Sequence, residues 1–330
     1  MKKTIFLTLV LSLFALLSLK ATVWTVSNNP FIPAQYSSMT EAISAATDGD
    51  TIYVHGSVTT YGGFSLNKEL HFIGAGYNPQ KEHPHNSYVG NITLRTGADN
   101  STFTGLSTYQ IYSQDVVNNI VIRRCRLRTS YIWVNGTNYR IYNNIIGGYI
   151  TINSNSDVII QNNIIPGYIA NSDDLSVVIK NNIFLRNGNS FSNIDNAIIA
   201  NNIFYRSSPL GCEYCSYNNN LTYNTTQNTI PYGTNIGSNN IIDDDPLFVD
   251  VTTFNIDLYF DYHLDTDSPG IDAGTDNTNI GIYGGTRPWP DEDVYTGEPN
   301  IPQVESFHIF NTVLGVDSFL RFESEAEKKD

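Results

Sequence analysis

The chain has 330 residues, of which 41% are hydrophobic and 15% charged, and its formal net charge is −14. An acidic balance of this size disfavours nucleic acid and anionic lipid as partners, because like charges repel. It also disfavours polyanionic glycans, unless a local basic patch or Ca²⁺ offsets the repulsion.

The N-terminus has the pattern of a secretory signal peptide over residues 1–21. Met1-Lys2-Lys3 supplies a basic start, and an apolar run of 15 residues, Ile5 to Leu19, follows it. The run is short for a membrane span, although an uncleaved anchor stays open as an alternative. Cleavage after Ala21 would remove three lysines and change the formal charge from −14 to −17. The pattern predicts a protein that is secreted, displayed at the cell surface or held in the periplasm, without membrane insertion after cleavage.

Residues 38–48 carry apolar side chains at helical spacing, with Ser and Thr near the start as caps. We expect a helix here that covers the N-terminal end of the fold, where strand edges would otherwise be unpaired. The motif that follows, Asp48-Gly49-Asp50-Thr51-Ile52-Tyr53-Val54, indicates a turn into a first strand. The sequence therefore predicts an N-terminal cap over about residues 35–50.

One short phrase, Asn-Asn-Ile or a close variant, returns between residues 121 and 242 at nearly constant spacing. The second Asn of each pair advances by 19, 19, 20, 18 and 20 residues, through Asn144, Asn163, Asn182, Asn202, Asn220 and Asn240. Cys125 occupies the same phase one step earlier. A repeat this short cannot bury its own apolar side chains, so each copy must stack on its neighbours as one coil of a solenoid.

The pattern inside each repeat favours strands, because apolar, β-branched residues alternate with others, as in Tyr149-Ile150-Thr151-Ile152. Three short strands and three bends per repeat predict an all-β fold, a right-handed parallel β-helix of about ten coils between residues 50 and 245. The second Asn of each pair should point inward and bind the Asn of the next coil, about 4.8 Å away. Two more columns should point inward: Phe103, Ile122, Ile141, Ile160, Ile179 and Ile199, and Ile92, Ile111, Ile132, Ile150 and Ile169.

After the last Asn pair the composition shifts to Pro, Gly and Asp, which ends the coils. We assign residues 22–285 to the β-helix with its cap, and residues 286–330 to a Pro-rich loop with a short C-terminal strand segment. Cys212 and Cys215 have the spacing of a redox pair or of a small disulfide loop. The sequence leaves their redox state open.

Four features occur together in this chain: the cap helix followed by the motif at 48–54, the segment 66–77, the Asn-Asn-Ile coils, and closing motifs such as Ser268-Pro269-Gly270-Ile271-Asp272-Ala273-Gly274 and Ile280-Gly281-Ile282-Tyr283-Gly284-Gly285. Together they resemble the secreted, pectate-lyase-like right-handed β-helix proteins of Gram-negative bacteria. The resemblance extends over about residues 35–305 and implies the fold. It implies no activity, because most members of this group have none established, and it makes His263 and Asp272 structural residues.

A hydrolase site is not carried over from related architectures. Polygalacturonases place Asp pairs beside the strand that here begins at Tyr149 or Tyr168, and the stretches Gly147-Gly148-Tyr149 and Pro166-Gly167-Tyr168 contain no carboxylate. The central residues of that mechanism are therefore missing.

A lyase would need a Lys or Arg base beside groups that neutralise charge, often with Ca²⁺. Lys180 and Arg140 are the candidate catalytic residues, and Lys180 falls in an outward column with Arg123, Tyr142 and Gln161. Under this alternative, positive charge would come from Arg126, Arg128, Arg186 and Arg206, and cation-binding oxygens from Asp157, Asp173, Asp174 and Asp195.

Five aromatic residues form the candidate ligand-binding site. Strict alternation about the inward isoleucines sends Tyr131, Tyr149 and Tyr168 outward in one line, with Tyr112 and Trp133 in the adjacent line. Rings at about 4.8 Å spacing would form a platform for sugar rings. Stacked rings also stabilise neighbouring coils by about 0.5–1.5 kcal/mol per pair without any ligand, so a scaffold role stays open.

We interpret the chain as an exported, non-catalytic, adhesion-type protein that binds a polysaccharide or a cell-surface glycan. The alternative is a divergent polysaccharide lyase or glycoside hydrolase that acts on an extracellular polysaccharide, and a purely structural role in the cell envelope is also open. We expect a monomer without metal or cofactor, except for Ca²⁺ under the lyase alternative.

Overall fold

The computed structural model describes residues 21–77, 85–128, 130–153, 156–171, 177–253, 256–289, 302–309 and 322–328. The chain folds into an all-β, right-handed parallel β-helix of about eight turns, with very little helix. The predicted fold class is confirmed, with about eight turns where the sequence predicted about ten coils. The predicted signal peptide lies outside the described residues, except for Ala21 at its end.

Three parallel sheets, which we name A, B and C in the order the chain enters them in each coil, form the body. Sheet A has ten strands: Val23–Val26, Asp50–Val54, Leu70–Gly74, Thr102–Thr104, Val121–Arg123, Tyr139–Tyr142, Val158–Gln161, Val177–Lys180, Ile198–Ala200 and Ser216–Asn218. Sheet B has eight: Ser87–Tyr88, Leu106–Thr108, Arg126–Leu127, Ile145–Ile146, Ile164–Ile165, Ile183–Asn189, Ile203–Ser208 and Leu221–Tyr223. Sheet C has seven: Phe64–Leu66, Ile92–Leu94, Ile111–Ser113, Tyr131–Val134, Tyr149–Ile152, Tyr168–Asn171 and Phe191–Ser192.

In the described part of the chain, the remaining elements are one helix, Met39–Ala45, and three two-stranded sheets. The first small sheet is parallel and pairs Ile194–Asp195 with Cys212–Glu213. The other two are antiparallel and pair Phe248–Asp250 with Asp261–Leu264, and Pro302–Ile309 with Phe322–Lys328.

Both inward columns predicted from the alternation are confirmed. Register along sheet A pairs Phe103 with Ile122 and continues to Ile199 without a slip. Register along sheet C runs in the same way from Ile92 to Ile169. Every member of both columns is buried, and each such side chain stabilises the fold by about 1.5–3 kcal/mol relative to exposure.

The second Asn of each pair forms the predicted internal ladder between sheets A and B. Asn163 Oδ1 accepts hydrogen bonds from the backbone N and the Nδ2 of Asn144, at 2.9 and 3.0 Å. Its own Nδ2 donates to Ile141 O and Gln161 O at 2.9 Å and lies 3.0 Å from Asn182 Oδ1. The amide satisfies backbone groups of its own coil and of the coil before, which is why a fully buried Asn is tolerated here.

The first Asn of each pair has a different role. It adopts left-handed backbone geometry in every coil, with φ between 52° and 57° at Asn143, Asn162, Asn181, Asn201, Asn219 and Asn239. Asn tolerates this geometry better than other residues with a side chain. The turn therefore sends the first amide outward and the second inward.

The outward amides bind a segment from far along the chain, residues 273–289, which we name the C-terminal strap. Asn219 donates to Ala273 O at 2.8 Å, and Asn162 donates to Ile282 O and Gly284 O at 2.9 and 2.8 Å. Asn143 donates to Arg287 O at 3.2 Å. The strap thus runs back along the corner, in the direction opposite to the stacking of the coils.

The strap also closes the outer face of sheet B over its C-terminal half. Five outward residues of that sheet are buried in one apolar cluster with Ile280, Ile282 and Trp289: Ile145, Ile164, Ile183, Ile203 and Leu221. The Trp289 indole donates to Asn162 O, which fastens the strap to the Asn corner. This part of sheet B is therefore interior rather than ligand-facing.

The cap helix Met39–Ala45 begins after Ser38, whose Oγ accepts from Glu41 N at 3.3 Å. It is shorter than the predicted 38–48 segment, because Ala46 turns to extended geometry and Lys68 Nζ binds its O at 2.7 Å. Asp50, 3% exposed, joins the cap to the first coils by accepting from Thr22 N at 2.7 Å.

The three cysteines are free and buried. Cys125 replaces a ladder Asn, as the sequence predicts, and its Sγ donates to Phe103 O at 3.4 Å. Burial raises the pKa of Cys125 to about 12, which keeps it a thiol. Cys212 and Cys215 are not bonded to each other, and Cys215 Sγ accepts from Ala197 N at 3.3 Å.

Candidate functional site

The five aromatic residues predicted to bind a ligand lie together on the outer face of sheet C. Register pairs Tyr131 with Tyr149 and Tyr149 with Tyr168, and in the adjacent line it pairs Tyr112 with Trp133. Both predicted lines are confirmed as positions in the sheet. We call these five residues the aromatic patch.

Glycines at the corner between sheets B and C fix where the tyrosine line begins. A Cβ on Gly148 would lie 1.3 Å from Ser130 O, and one on Gly167 would lie 1.3 Å from Gly148 O. Only residues without a side chain let successive coils approach this closely. Tyr149 and Tyr168 follow these glycines directly, so their rings start at the same point of each coil.

The tyrosine rings stack along the line. The Tyr131 and Tyr149 rings are 5.2 Å apart at 20°, and the Tyr149 and Tyr168 rings are 5.2 Å apart at 16°. Nearly parallel rings at this centroid distance reach carbon contact, about 3.5–4.0 Å, only when they are offset. Each ring then covers part of the next and leaves the rest to solvent, which agrees with the half-buried state of all three.

Tyr112 and Trp133 extend the patch at right angles to the stack. The Tyr112 ring meets Tyr131 at 85° and Trp133 at 77°, with centroids 6.3 and 5.9 Å apart. Edge-to-face pairs of this kind are favourable in themselves. The patch therefore presents rings in two orientations, so sugar faces can pack on some rings and meet the edges of others.

Polar groups of the patch are open to a ligand. Within the described ranges, none of the four phenol hydroxyls and no atom of the Trp133 indole forms a hydrogen bond with another residue. Burial raises the pKa of Tyr131, and the nearby Tyr149 and Tyr112 raise it further. This phenol accordingly stays neutral over the physiological range and can both donate and accept.

Arg186 closes one end of the tyrosine stack. Its guanidinium carbon lies 4.9 Å from the centre of the Tyr168 ring, within cation–π range. Under the lyase alternative we expected Arg186 among the positive charges near Lys180, and its guanidinium instead contacts Tyr168 on sheet C. The long strand Ile183–Asn189 carries the chain around the corner and brings Arg186 to sheet C instead.

Lys180 and Arg140, the candidate catalytic residues, lie on sheet A and not beside the aromatic patch. Arg140 pairs with Ile159, which pairs with Val178, and Lys180 follows two residues later. Two strand spacings and two residues separate their Cα atoms by roughly 12 Å. Lys180 lines a shallow hollow of about 570 Å³ that contains no carboxylate among its lining residues.

The outward column of Lys180 is confirmed in register, but part of it is covered. Tyr142 and Gln161 are buried, and Arg287 of the strap lies 4.5 Å from the Tyr142 ring. Only Arg123 at one end is exposed, and Lys180 is half-buried. The column therefore does not form the open basic groove that the lyase alternative needs.

No cation site is formed by the carboxylates named for the lyase alternative, as far as the described residues go. Asp157 accepts from Asn138 N, and Asp195 lies in the short strand Ile194–Asp195. Asp173 and Asp174 lie outside the described ranges. In the described part of the chain, no group of three His, Cys, Asp or Glu residues is arranged to hold a metal ion.

Comparison with protein-family models and with curated proteins finds no match. Among solved structures, the pectin methylesterase from Aspergillus niger is similar in two forms. The penultimately deglycosylated form matches over 66% of this chain and 89% of its own, at 14% identity and a TM-score of 0.28. The deglycosylated form matches over 85% and 95%, at 12% identity and a TM-score of 0.29. The family resemblance of the sequence motifs therefore stays a prediction.

The described residues include no helix that is both long and apolar enough to cross a membrane.

Proposed function

We propose that this chain is an exported glycan-binding protein whose binding surface is the aromatic patch on sheet C. The observation that carries the proposal is the stack of Tyr131, Tyr149 and Tyr168 with Tyr112 and Trp133 beside it. A continuous aromatic surface of this kind on a soluble protein marks an interaction site more often than isolated rings do. The signal-peptide pattern of residues 1–21 supports placing the glycan outside the cytoplasm.

Sugars suit this surface for two reasons. A pyranose ring has faces rich in C–H groups, which pack on aromatic rings, and an equator of hydroxyl groups, which bind phenols. Tyr and Trp supply both an apolar body and a polar end. The repeat of the rings from coil to coil favours a chain of sugars over a single sugar, because each coil offers the next unit an equivalent contact.

A non-catalytic role is favoured over the lyase alternative because the candidate base is on another sheet. Lys180 and Arg140 project from sheet A, while the aromatic patch lies on sheet C. A sugar bound on the patch does not meet either cation. We therefore place binding, rather than bond cleavage, at this surface, and we propose that the protein acts as a monomer.

The proposal is tested on a glycan array with purified protein and three variants. Tyr149→Ala interrupts the stack, Tyr149→Phe keeps the ring and removes the hydroxyl, and Tyr214→Ala removes an exposed tyrosine elsewhere, 63% exposed. We expect binding to fall about tenfold or more in Tyr149→Ala, less in Tyr149→Phe, and not at all in Tyr214→Ala. The thermal midpoint of each variant separates loss of binding from loss of folding.

Two results would overturn the proposal. If the parent protein binds no glycan while Tyr149→Ala lowers the thermal midpoint, the aromatic patch is scaffold. If the glycans are shortened or acquire unsaturated ends, and Lys180→Ala abolishes that change, the lyase alternative replaces it.

A further inference from the structure

The outer face of sheet B changes character between two consecutive coils. Its outward residues are paired in one column: Tyr88, Ser107 and Arg126, followed by Ile145 and the apolar residues beneath the strap. The strap covers the apolar part of the column. The three polar residues instead line an open pocket of about 640 Å³ at the N-terminal end of the sheet, within the range of small-ligand sites, about 300–1,000 Å³.

Two arginines enter this pocket without a partner of opposite charge. Arg126 is half-buried and Arg128 is exposed, and neither forms an ion pair with any residue in the described ranges. Burial lowers the pKa of Arg126, and the charge of Arg128 lowers it further. A bound anion would relieve both effects.

One neutral polar group beside the arginines is unsatisfied as well. Ser107 is 1% exposed, and its Oγ has no hydrogen-bond partner. Burial and Tyr109 raise the pKa of the neighbouring Tyr88 phenol to about 12, and Arg128 lowers it. A buried hydroxyl without a partner costs about 1–3 kcal/mol, so each such group at a pocket wall indicates a position for a ligand atom.

Aromatic rings lie beside Arg128. The Arg128 guanidinium lies 5.4 Å from the centre of the Tyr88 ring, and Tyr109 meets that ring edge-on at 5.1 Å. Tyr109 is 42% exposed. The pocket wall thus combines an aromatic ring, on which a sugar face can pack, with guanidinium groups whose paired N–H donors suit an oxyanion.

We propose that this pocket, which we call the arginine pocket, binds the oxyanion of an acidic saccharide between Arg126 and Arg128. The shared chemistry is a singly charged carboxylate or sulfate group on a sugar ring, with Ser107 as an additional hydrogen-bond donor. The inference rests on the proposed function in one respect, that the ligand is a glycan. The pocket lies on sheet B, whereas the aromatic patch lies on sheet C, so the two sites are separable by mutation.

Calorimetric titration tests the pocket with three sugars: glucuronic acid, glucose 6-sulfate and neutral glucose. We expect both charged sugars to bind at least about tenfold more tightly than glucose, since a charge-assisted hydrogen bond is worth about this factor. Comparing the affinities of the two charged sugars shows whether the pocket prefers a carboxylate or a sulfate, because a planar carboxylate and a tetrahedral sulfate form different hydrogen bonds with a guanidinium group.

Matched variants assign the binding to the pocket. Arg126→Gln and Arg128→Gln should each weaken binding of the charged sugars about tenfold, while Arg95→Gln, the same charge change at a residue that does not line the pocket, should leave it unaltered. Ser107→Ala should give a smaller loss. Arg128 is exposed, so its variant stays informative if Arg126→Gln fails to fold.

The outcomes separate this inference from the proposed function. If charged sugars bind no more tightly than glucose, or if Arg95→Gln weakens their binding as much as Arg128→Gln, the arginine pocket is not an anion site. Neutral glycan binding that is lost in Tyr149→Ala would then still support the aromatic patch. Charged-sugar binding that survives Tyr149→Ala and is lost in Arg128→Gln supports the pocket by itself.

Discussion

Replacing Asn163 with alanine breaks the internal ladder at a position connected on both sides. The backbone N–H of Asn144 donates to Asn163 Oδ1 at 2.9 Å, and alanine leaves that buried donor without its acceptor. One such group costs about 1–3 kcal/mol. Ile141 O and Gln161 O also lose a donor each, so we expect a total loss of about 2–4 kcal/mol.

Replacing the neighbouring Asn162 should lower stability for a different reason, through the strap and the backbone conformation. Asn162→Ala removes two hydrogen bonds to the strap and places alanine at φ 52°, where a Cβ costs about 1–2 kcal/mol. Asn162 Oδ1 is itself buried without a partner, so its removal offsets part of the loss. Asn162→Gly should be more stable than Asn162→Ala by about 1 kcal/mol, because glycine tolerates this geometry. Asn163→Gly should gain nothing over Asn163→Ala.

Hydrogen exchange and urea denaturation measure the two effects. In Asn163→Ala, protection of the Asn144 amide should fall by about 30-fold or more, which corresponds to about 2 kcal/mol. Asn162→Ala should leave that amide protected. An unchanged Asn144 amide in Asn163→Ala would refute the ladder, and equal urea midpoints for Gly and Ala at position 162 would refute the left-handed turn.

Two further predictions concern the corner glycine and the N-terminal cap. Gly167→Ala should lower stability by about 3 kcal/mol or more, because its Cβ would lie 1.3 Å from Gly148 O, whereas Gly62→Ala, with nothing within 4 Å, should keep the parent thermal midpoint. Burial raises the pKa of Asp50, but hydrogen bonds, led by that from Thr47, outweigh it and lower the pKa from 3.8 to about 2. The contribution of Asp50 to stability should therefore be constant above about pH 5 and fall by about 2 kcal/mol towards pH 2. In Asp50→Asn, the free energy of unfolding should not show this acid-dependent loss. If the variant and the parent lose stability equally between pH 5 and pH 2, Asp50 is not its source.

The fold could be predicted because the residues that determine it form a short pattern that repeats along the chain. Asn163, Asn182 and their equivalents recur every 18 to 20 residues, and strand alternation then determines which residues point inward. The aromatic lines follow from the same register, since Tyr149 precedes the inward Ile150 and Tyr168 precedes Ile169. Ring orientation does not follow from register, because it depends on side-chain rotation after the coils have stacked.

The C-terminal strap was missed because its contacts are remote in sequence. Asn162 and Ile282 are 120 residues apart, and no period links them. A signal was present nonetheless: Ile145-Ile146 and Ile164-Ile165 place apolar residues at adjacent strand positions, which face opposite sides of a sheet. Two buried faces require a covering segment, so these pairs already implied one over sheet B.

The change of residue type along sheet B also explains how an acidic protein can hold a basic pocket. The strap packs on apolar residues in the outward column of sheet B, and that column changes from Ile145 to Arg126 in a single coil. An apolar segment packed over Arg126 would bury an unpaired charge, which is strongly unfavourable, and no residue of the described strap lines the pocket. Arg128 is only three residues from Tyr131, at most about 11 Å along the chain. If both proposed sites bind sugars, a saccharide of a few units would contact the arginine pocket and the aromatic patch together, with its charge at the sheet B end and its ring faces along sheet C.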